Sequence, residues 1–298
     1  MKRKRMGIMT IVFIILCTVV FYVIQSNKIT WFNKFIKDEN KSTNVLKTEN
    51  VAKARDGIRG VTQPSPFITT TRGIENNLLQ NANGSLIGQL IYLQKENLPE
   101  AEQKLLVNNK DATQYILGYL AGQQAAPFEQ GETIEINRKF PYYIQWDKRW
   151  AYDKLGETNI AIGGCGPTCV AMALSGILDD KSITPKNIAE KEDASGYFTD
   201  AGTKWSFFDY IAKEYGVKST GVSLNEEAMK SALNKGNPII ASVHPGKFTT
   251  VGHIVLITGV DNEGKFIIND PNSYTRTLKK WSYDELKTEI VAMWEFSK

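Results

Sequence analysis

The spacing of apolar residues divides the chain into four stretches. Met6 to Ile24 is almost wholly apolar and comes after the basic cluster Lys2-Arg3-Lys4-Arg5; such a run is about long enough to cross a hydrocarbon core. Between about Gln25 and Ser65 apolar residues thin out among Lys, Asn and Thr, the pattern of a linker or stalk. From about Arg72 to Gln124 helical periodicity sets in, with Leu86, Leu90, Ile91 and Leu93 in one group and Leu105, Leu106, Tyr115, Ile116 and Leu117 in another. This third stretch reads either as a small helical subdomain or as a pro-segment that covers a cleft. The expected organisation is a basic stub and anchor over 1–25, a polar linker over 26–65, a small helical region over 66–135 and a C-terminal domain over 136–298. No internal repeat is visible.

In the C-terminal domain helix-spaced runs come first and strand-like runs later. Pro167 to Leu178 predicts a helix, and Thr184-Pro185 opens a short one with a cap and a proline in its first turn. Thr203 to Tyr215 puts Trp205, Phe208 and Ile211 on one face and stops at Gly216. Asn225 caps a helix that ends at Gly236. Pro238 to Val243 and Val251 to Gly259 read as strands. The polar turn Asp261-Asn262-Glu263-Gly264 then joins the second of them to Lys265–Pro271 as a hairpin. Ser282 with Glu285 makes a capping box, and Val291 to Phe296 is a last strand. The predicted class is α+β, with a helical half set against an antiparallel sheet and a cleft between them.

Gly164-Cys165-Gly166-Pro167-Thr168-Cys169 stands at the head of the first of these helices. Glycines let the chain turn sharply there, and proline suits a first helical turn. The first amides of a helix lack internal partners and its dipole is positive at that end, so a sulfur placed there is favoured as the anion, the form that attacks carbonyl carbon. Cys165 is therefore the candidate nucleophile. Cys169, one turn on, faces the same way and is expected to pack in the core; helical geometry at that spacing points the two sulfurs poorly for a disulfide.

A thiol nucleophile needs a base, and the chain has only 2 histidines. His253 opens the apolar run Ile254-Val255-Leu256-Ile257, whereas His244 precedes Pro245-Gly246 and reads as a loop residue. Counting outward from the hairpin turn places His253 and Asp270 within a rung or two of each other, close enough for side chains to meet. A carboxylate beside an imidazole fixes its tautomer and stabilises its cation. The order nucleophile, base, carboxylate, distant in sequence and joined in the fold, is the logic of a thiol peptidase. Two histidines and two nearby cysteines show no zinc-type spacing, so no metal or cofactor is expected.

Gln145-Trp146-Asp147-Lys148-Arg149-Trp150, Gly164-Cys165-Gly166-Pro167-Thr168, Gly252-His253 and Asn269-Asp270-Pro271 together resemble bacterial papain-fold cysteine peptidases, in particular stand-alone, membrane-associated relatives of the double-glycine leader peptidases of bacteriocins. The likeness runs from near Phe140 to the end. It implies a papain-like fold with Cys165 as nucleophile, His253 as general base and acid, Asp270 as the orienting acid, and Gln145 as an oxyanion-hole donor beside the Cys165 backbone N–H. In leader peptidases the glutamine lies a few residues before the cysteine. Here Gln145 is farther away and Asn159 occupies the nearer position, so either side chain can be the donor. Trp146 and Trp150 are expected to pack rather than to touch substrate. No phosphate-cradling glycine loop accompanies these motifs.

Composition and charge add the cellular side. The basic cluster before the apolar run should stay cytoplasmic, which places the residues after Ile24 outside, with Trp31, Phe32 and Phe35 at the interface. No small-residue cleavage pattern comes after the run, so an uncleaved single-pass anchor is expected. Cys17 lacks the small preceding residue of a lipid-modified cysteine. The net charge of +4 comes largely from the N-terminal cluster and linker, so no nucleic-acid surface is implied. With 3 cysteines no disulfide framework is expected. The reading is a monomeric, membrane-anchored extracytoplasmic cysteine hydrolase acting on a peptide or on peptidoglycan peptide; a silent binding module or an acyl transferase on the same fold are the alternatives.

Overall fold

The computed structural model describes residues 67–122, 136 and 138–298, all within one compact unit that spans Asp56–Lys298. The expected anchor and linker lie outside the described residues, among which no helix is long and apolar enough to cross a membrane.

The described chain begins with a helical arm. Helix α1 (Thr71–Gly84) is capped by Thr70, whose hydroxyl accepts from the Gly73 amide, and α2 (Leu86–Leu93) by Ser85 in the same way. Next come helix α3 (Glu100–Asn108) and helix α4 (Thr113–Leu120). Leu105, Leu106, Tyr115, Ile116 and Leu117 are buried as their spacing predicts, whereas Leu86 and Leu93 face solvent.

The C-terminal domain opens with a small ribbon, β1 (Lys154–Leu155) and β2 (Thr158–Asn159). The short helix α5 (Ile160–Gly163) leads from it into α6 (Cys165–Leu178). Helix α6 is apolar nearly all round and buried from Gly166 to Ser175, as a central helix must be. Helix α7 (Pro185–Ala194) starts with a reciprocal capping box between Thr184 and Asn187 and a proline in its first turn. A second ribbon, β3 (Phe198–Thr199) and β4 (Gly202–Thr203), precedes α8 (Ser206–Glu214). The sequence predicts helix from Thr203, but Thr203 is paired with Phe198 in this ribbon and the helix begins at Ser206.

The sheet is built from β5 (Lys218–Gly221), β6 (Ile239–Val243), β7 (His253–Val260), β8 (Phe266–Asn269), β9 (Lys280–Trp281) and β10 (Ile290–Ser297). Its order is β5-β10-β6-β7-β8-β9, antiparallel throughout. Helix α9 (Glu226–Asn234), capped by Asn225, packs Met229, Ala232 and Leu233 against Val243, Val255, Ile257, Phe266 and Met293. Between β8 and β9 lies α10 (Tyr274–Leu278), capped by Ser273, and before β10 comes α11 (Tyr283–Leu286), with the expected box of Ser282 and Glu285. The architecture is α+β, with the cysteine on a helix and the histidine and aspartate on the sheet.

Candidate active site

Cys165 is the first residue of α6 and is half-buried. The turn before it is fixed by close approach. A Cβ on Gly164 would stand 2.4 Å from the Ile160 carbonyl oxygen, and one on Gly166 would stand 2.1 Å from the Thr203 hydroxyl, so only glycine fits at either side of the cysteine. Cys169 is fully buried, its thiol donates to the Ile254 carbonyl at 3.4 Å, and burial holds it well above the usual thiol range. Both cysteines are free thiols.

His253 begins β7 and is 6 % exposed. Leu256 pairs with Asn269 across β7 and β8; carried on, that ladder sets Asp270 opposite Val255, diagonal to His253 on the same face. His253 Nε2 and Asp270 Oδ1 are 2.9 Å apart. The Cys165 side chain also lies near enough to the imidazole to raise it. Burial is the largest single influence on this imidazole and opposes its charge. The Asp270 carboxylate together with Cys165 outweighs it and lifts the group to about 9. Three elements distant in sequence thus bring Cys165, His253 and Asp270 together.

Asp270 is fully buried and satisfied on every side. Oδ1 also accepts from the Asn272 amide at 2.8 Å, and Oδ2 accepts from Arg276 Nε. Its own amide donates to Thr277 Oγ1 at 2.8 Å, and its carbonyl accepts from Tyr142 Oη at 2.9 Å. Burial pushes the carboxyl up, but the Arg276 and His253 charges win and hold it well below the usual carboxylate range. Arg276 is a site residue that the sequence motifs do not single out. Its signal is Ser273, which caps α10 and so returns Arg276 toward the carboxylate. Arg138 adds further ties beside it, donating to the Ile268 and Thr277 carbonyls at 3.0 Å each.

Gln145 is 2 % exposed and stands between the two halves. Its backbone amide donates to the Pro271 carbonyl at 2.8 Å, while Nε2 donates to the Ala161 carbonyl at 2.7 Å and to that of Ile162 at 3.4 Å. In this arrangement its side-chain donors hold α5. Asn159, the alternative oxyanion donor, is committed elsewhere: Oδ1 caps α5 by accepting from the Ile162 amide at 3.1 Å, and Nδ2 donates to Glu102 at 3.1 Å. Gln145 Nε2 thus spends both of its N–H groups on α5, while Asn159 Nδ2 spends one on Glu102, so the arrangement singles out neither side chain as an oxyanion donor. Trp150 is buried with Nε1 donating to the Ile144 carbonyl at 2.8 Å, and Trp146 is 8 % exposed; both pack. His244 is exposed, its ring nitrogens 2.7 Å from the Pro245 and Thr288 carbonyls, away from Cys165. Among the described residues no group of His, Cys, Asp or Glu converges to hold a metal ion.

Three solved structures resemble the chain. A C39-like peptidase from Bacillus anthracis is 16% identical over 55% of this chain and 97% of its own, with a TM-score of 0.39. The peptidase domain of the Streptococcus transporter ComA is 18% identical over 44% of this chain and 91% of its own, with a TM-score of 0.34. A double-glycine-motif protease from an AMS/PCAT transporter, solved with its leader peptide, is 20% identical over 44% and 85%, with a TM-score of 0.31. No curated protein matches the chain. The Peptidase_C39-like family matches residues 137–298, more than half of the chain and the part that carries Cys165, His253 and Asp270, and the chain belongs to that family.

Proposed function

We propose that this chain is a membrane-anchored, extracytoplasmic cysteine hydrolase that cleaves peptide or amide bonds through a thioester acyl-enzyme. The observation that carries the reading is the convergence of a half-buried Cys165, the buried His253 imidazole and the buried Asp270 carboxylate. The anchor rests on the sequence of residues 1–25.

The Cys165 sulfur attacks the substrate carbonyl carbon. Two cations, His253 and Arg276, flank the single Asp270 anion. The Cys165 backbone N–H and, once its side chain swings from α5, Gln145 bind the oxyanion; such donors typically contribute about 3 kcal/mol. Collapse of the tetrahedral adduct breaks the C–N bond while His253 passes its proton to the leaving nitrogen. Neutral His253 then takes a proton from water as the water oxygen attacks the thioester carbon, the C–S bond breaks with its electron pair returning to the Cys165 sulfur, and the acid product departs. Asp270 keeps the ring oriented throughout.

The test uses the full chain in mild detergent against a mixed peptide library and a muropeptide digest, read by mass spectrometry. New fragments that disappear with C165A are the expected result. Absence of any cleavage, with Cys165 alkylated by iodoacetamide no faster in the wild type than in H253A, overturns the reading. An added amine competing with water separates acyl transfer from hydrolysis.

A further inference from the structure

The helical arm, residues 67–122, lies outside the stretch matched by the family, and it touches both halves of the site. On the nucleophile side Glu102, 3 % exposed, accepts from Asn159 Nδ2 at 3.1 Å. Tyr115 Oη stands 3.4 Å from both the Glu102 carboxylate and Asn159 Oδ1. Tyr115 also stacks on Tyr152, with ring centroids 5.2 Å apart, and Tyr152 Oη donates to the Tyr115 carbonyl at 3.0 Å. Asn159 in turn caps α5, the short helix that ends one residue before Gly164 and so just ahead of Cys165. On the base side Asn109, 5 % exposed, donates through Nδ2 to the Asn272 carbonyl at 2.6 Å. The amide of that same Asn272 donates to Asp270 Oδ1, the oxygen that holds His253.

We propose that the arm is a positioning clamp, in which Glu102 fixes the approach to Cys165 and Asn109 fixes the turn that orients Asp270. This rests on the hydrolase reading above and assigns a role to a segment that a removable cover would not have. A cover blocks a cleft and is lost on activation. Here two buried polar side chains of the arm are bonded into the C-terminal domain, Asn109 to the turn whose Asn272 amide holds Asp270 and Glu102 to the Asn159 that caps the helix before Cys165, and removing either takes a hydrogen bond from its partner there. Glu102 and Asn109 act through Asn159 and Asn272; neither touches substrate.

The test uses full-length protein and needs no substrate. With 2 histidines in the chain, the His253 ring can be followed directly by nitrogen NMR as pH is raised, while iodoacetamide reports on Cys165. N109L keeps about the volume of Asn109, adds no charge and cannot donate. In that variant we expect the His253 midpoint to fall by about one pH unit as Asp270 loses its fixed geometry. E102A is expected to slow Cys165 alkylation about tenfold, in the range typical of groups that orient a reacting side chain, and E102Q, which keeps the acceptor, to restore most of it. Thermal melts identify any variant that merely unfolds; N109A, which also removes the donor without adding charge, replaces N109L in that case. A wild-type titration in the Asn109 variant together with wild-type alkylation in E102A overturns the clamp. If wild-type His253 itself titrates near its ordinary value and Cys165 reacts like a free thiol, the cysteine–histidine pair fails and the clamp falls with it.

Discussion

His253 and Asp270 have unequal parts in holding the fold, and this separates chemistry from stability. Asp270 is the anion that faces two buried cations, His253 and Arg276. Removing His253 leaves the Asp270–Arg276 pair intact. Neutralising Asp270 takes the carboxylate away from both cations, and breaking a buried pair in this way costs about 3–5 kcal/mol. H253A should therefore lose about ten-thousand-fold in turnover and the stability that the raised imidazole supplies, whereas D270N should lose turnover and more stability still in chemical denaturation, because it leaves two cations unpaired. Equal melting of the two variants would show that the other contacts of Arg276 suffice to hold it. The same site sets a pH limit. Protonated His253 is the acid for the leaving nitrogen, and the group is lifted to about 9. Hydrolysis should thus hold through neutral pH and fall as pH rises through about 9, which a rate profile on any cleaved peptide measures. A fall centred near the ordinary histidine value of 6.5 would mean that Asp270 and Cys165 fail to support the imidazolium.

Among the elements, the start of α6 is held in place by the glycines on either side of Cys165 and by the cap of α5. G166A drives a methyl into Thr203, where only 2.1 Å separates the added carbon from the hydroxyl oxygen. Overpacking of this kind typically costs about 1–3 kcal/mol, and it shifts the Cys165 end of the helix. Turnover should fall with stability, and G166A/T203G should recover both, as urea melts and rates together would show. N159A removes the α5 cap, worth about 1 kcal/mol, and takes that donor from Glu102. The sequence made α6, α7, α9 and the β7–β8 hairpin legible because each carries its own local signal: a cysteine between glycines, Thr184-Pro185, Asn225 with Gly236, and a polar turn between apolar runs. It concealed β5, whose Lys218–Gly221 is polar and mostly exposed on the sheet edge. It also concealed the ribbon at Thr203, because two-residue strands have no period. Cys165, His253 and Asp270 could be read from spacing. Arg276, Asn272 and Asn109 could not, because what they do depends on long-range packing that leaves no pattern in their neighbours.

At the scale of the whole fold, Asp270, His253 and Glu192 are three of the buried titratable groups that bias stability with pH, and their signs differ. Asp270 is held below its usual value of 3.8, so its contribution is present above that pH and is lost as pH falls through the lowered value. His253 is raised from 6.5 to about 9, so its contribution is full below 6.5 and is lost as pH rises through 9. Glu192 on α7 has 0 % of its surface exposed, lies by the Thr203 hydroxyl, and is pushed by burial from 4.5 to about 8. It is kept as the neutral acid, so the fold gives up stability steadily as pH rises from 4.5 to 8 and the unfolded chain ionises first. Two of the three groups therefore act against the fold on the alkaline side, over overlapping but distinct windows. Melting temperature measured from pH 4 to 10 should decline in the wild type across both. E192Q, which needs no proton to stay neutral, should flatten the part between about 4.5 and 8, and H253A should flatten the part between about 6.5 and 9. Because α7 packs on α6 and Thr203 abuts Gly166, the Glu192 charge develops behind the nucleophile's helix. Loss of packing there should precede loss of the His253 proton in the wild type and be absent in E192Q. An E192Q melting curve parallel to that of the wild type at every pH would show that Glu192 is already ionised in the native protein.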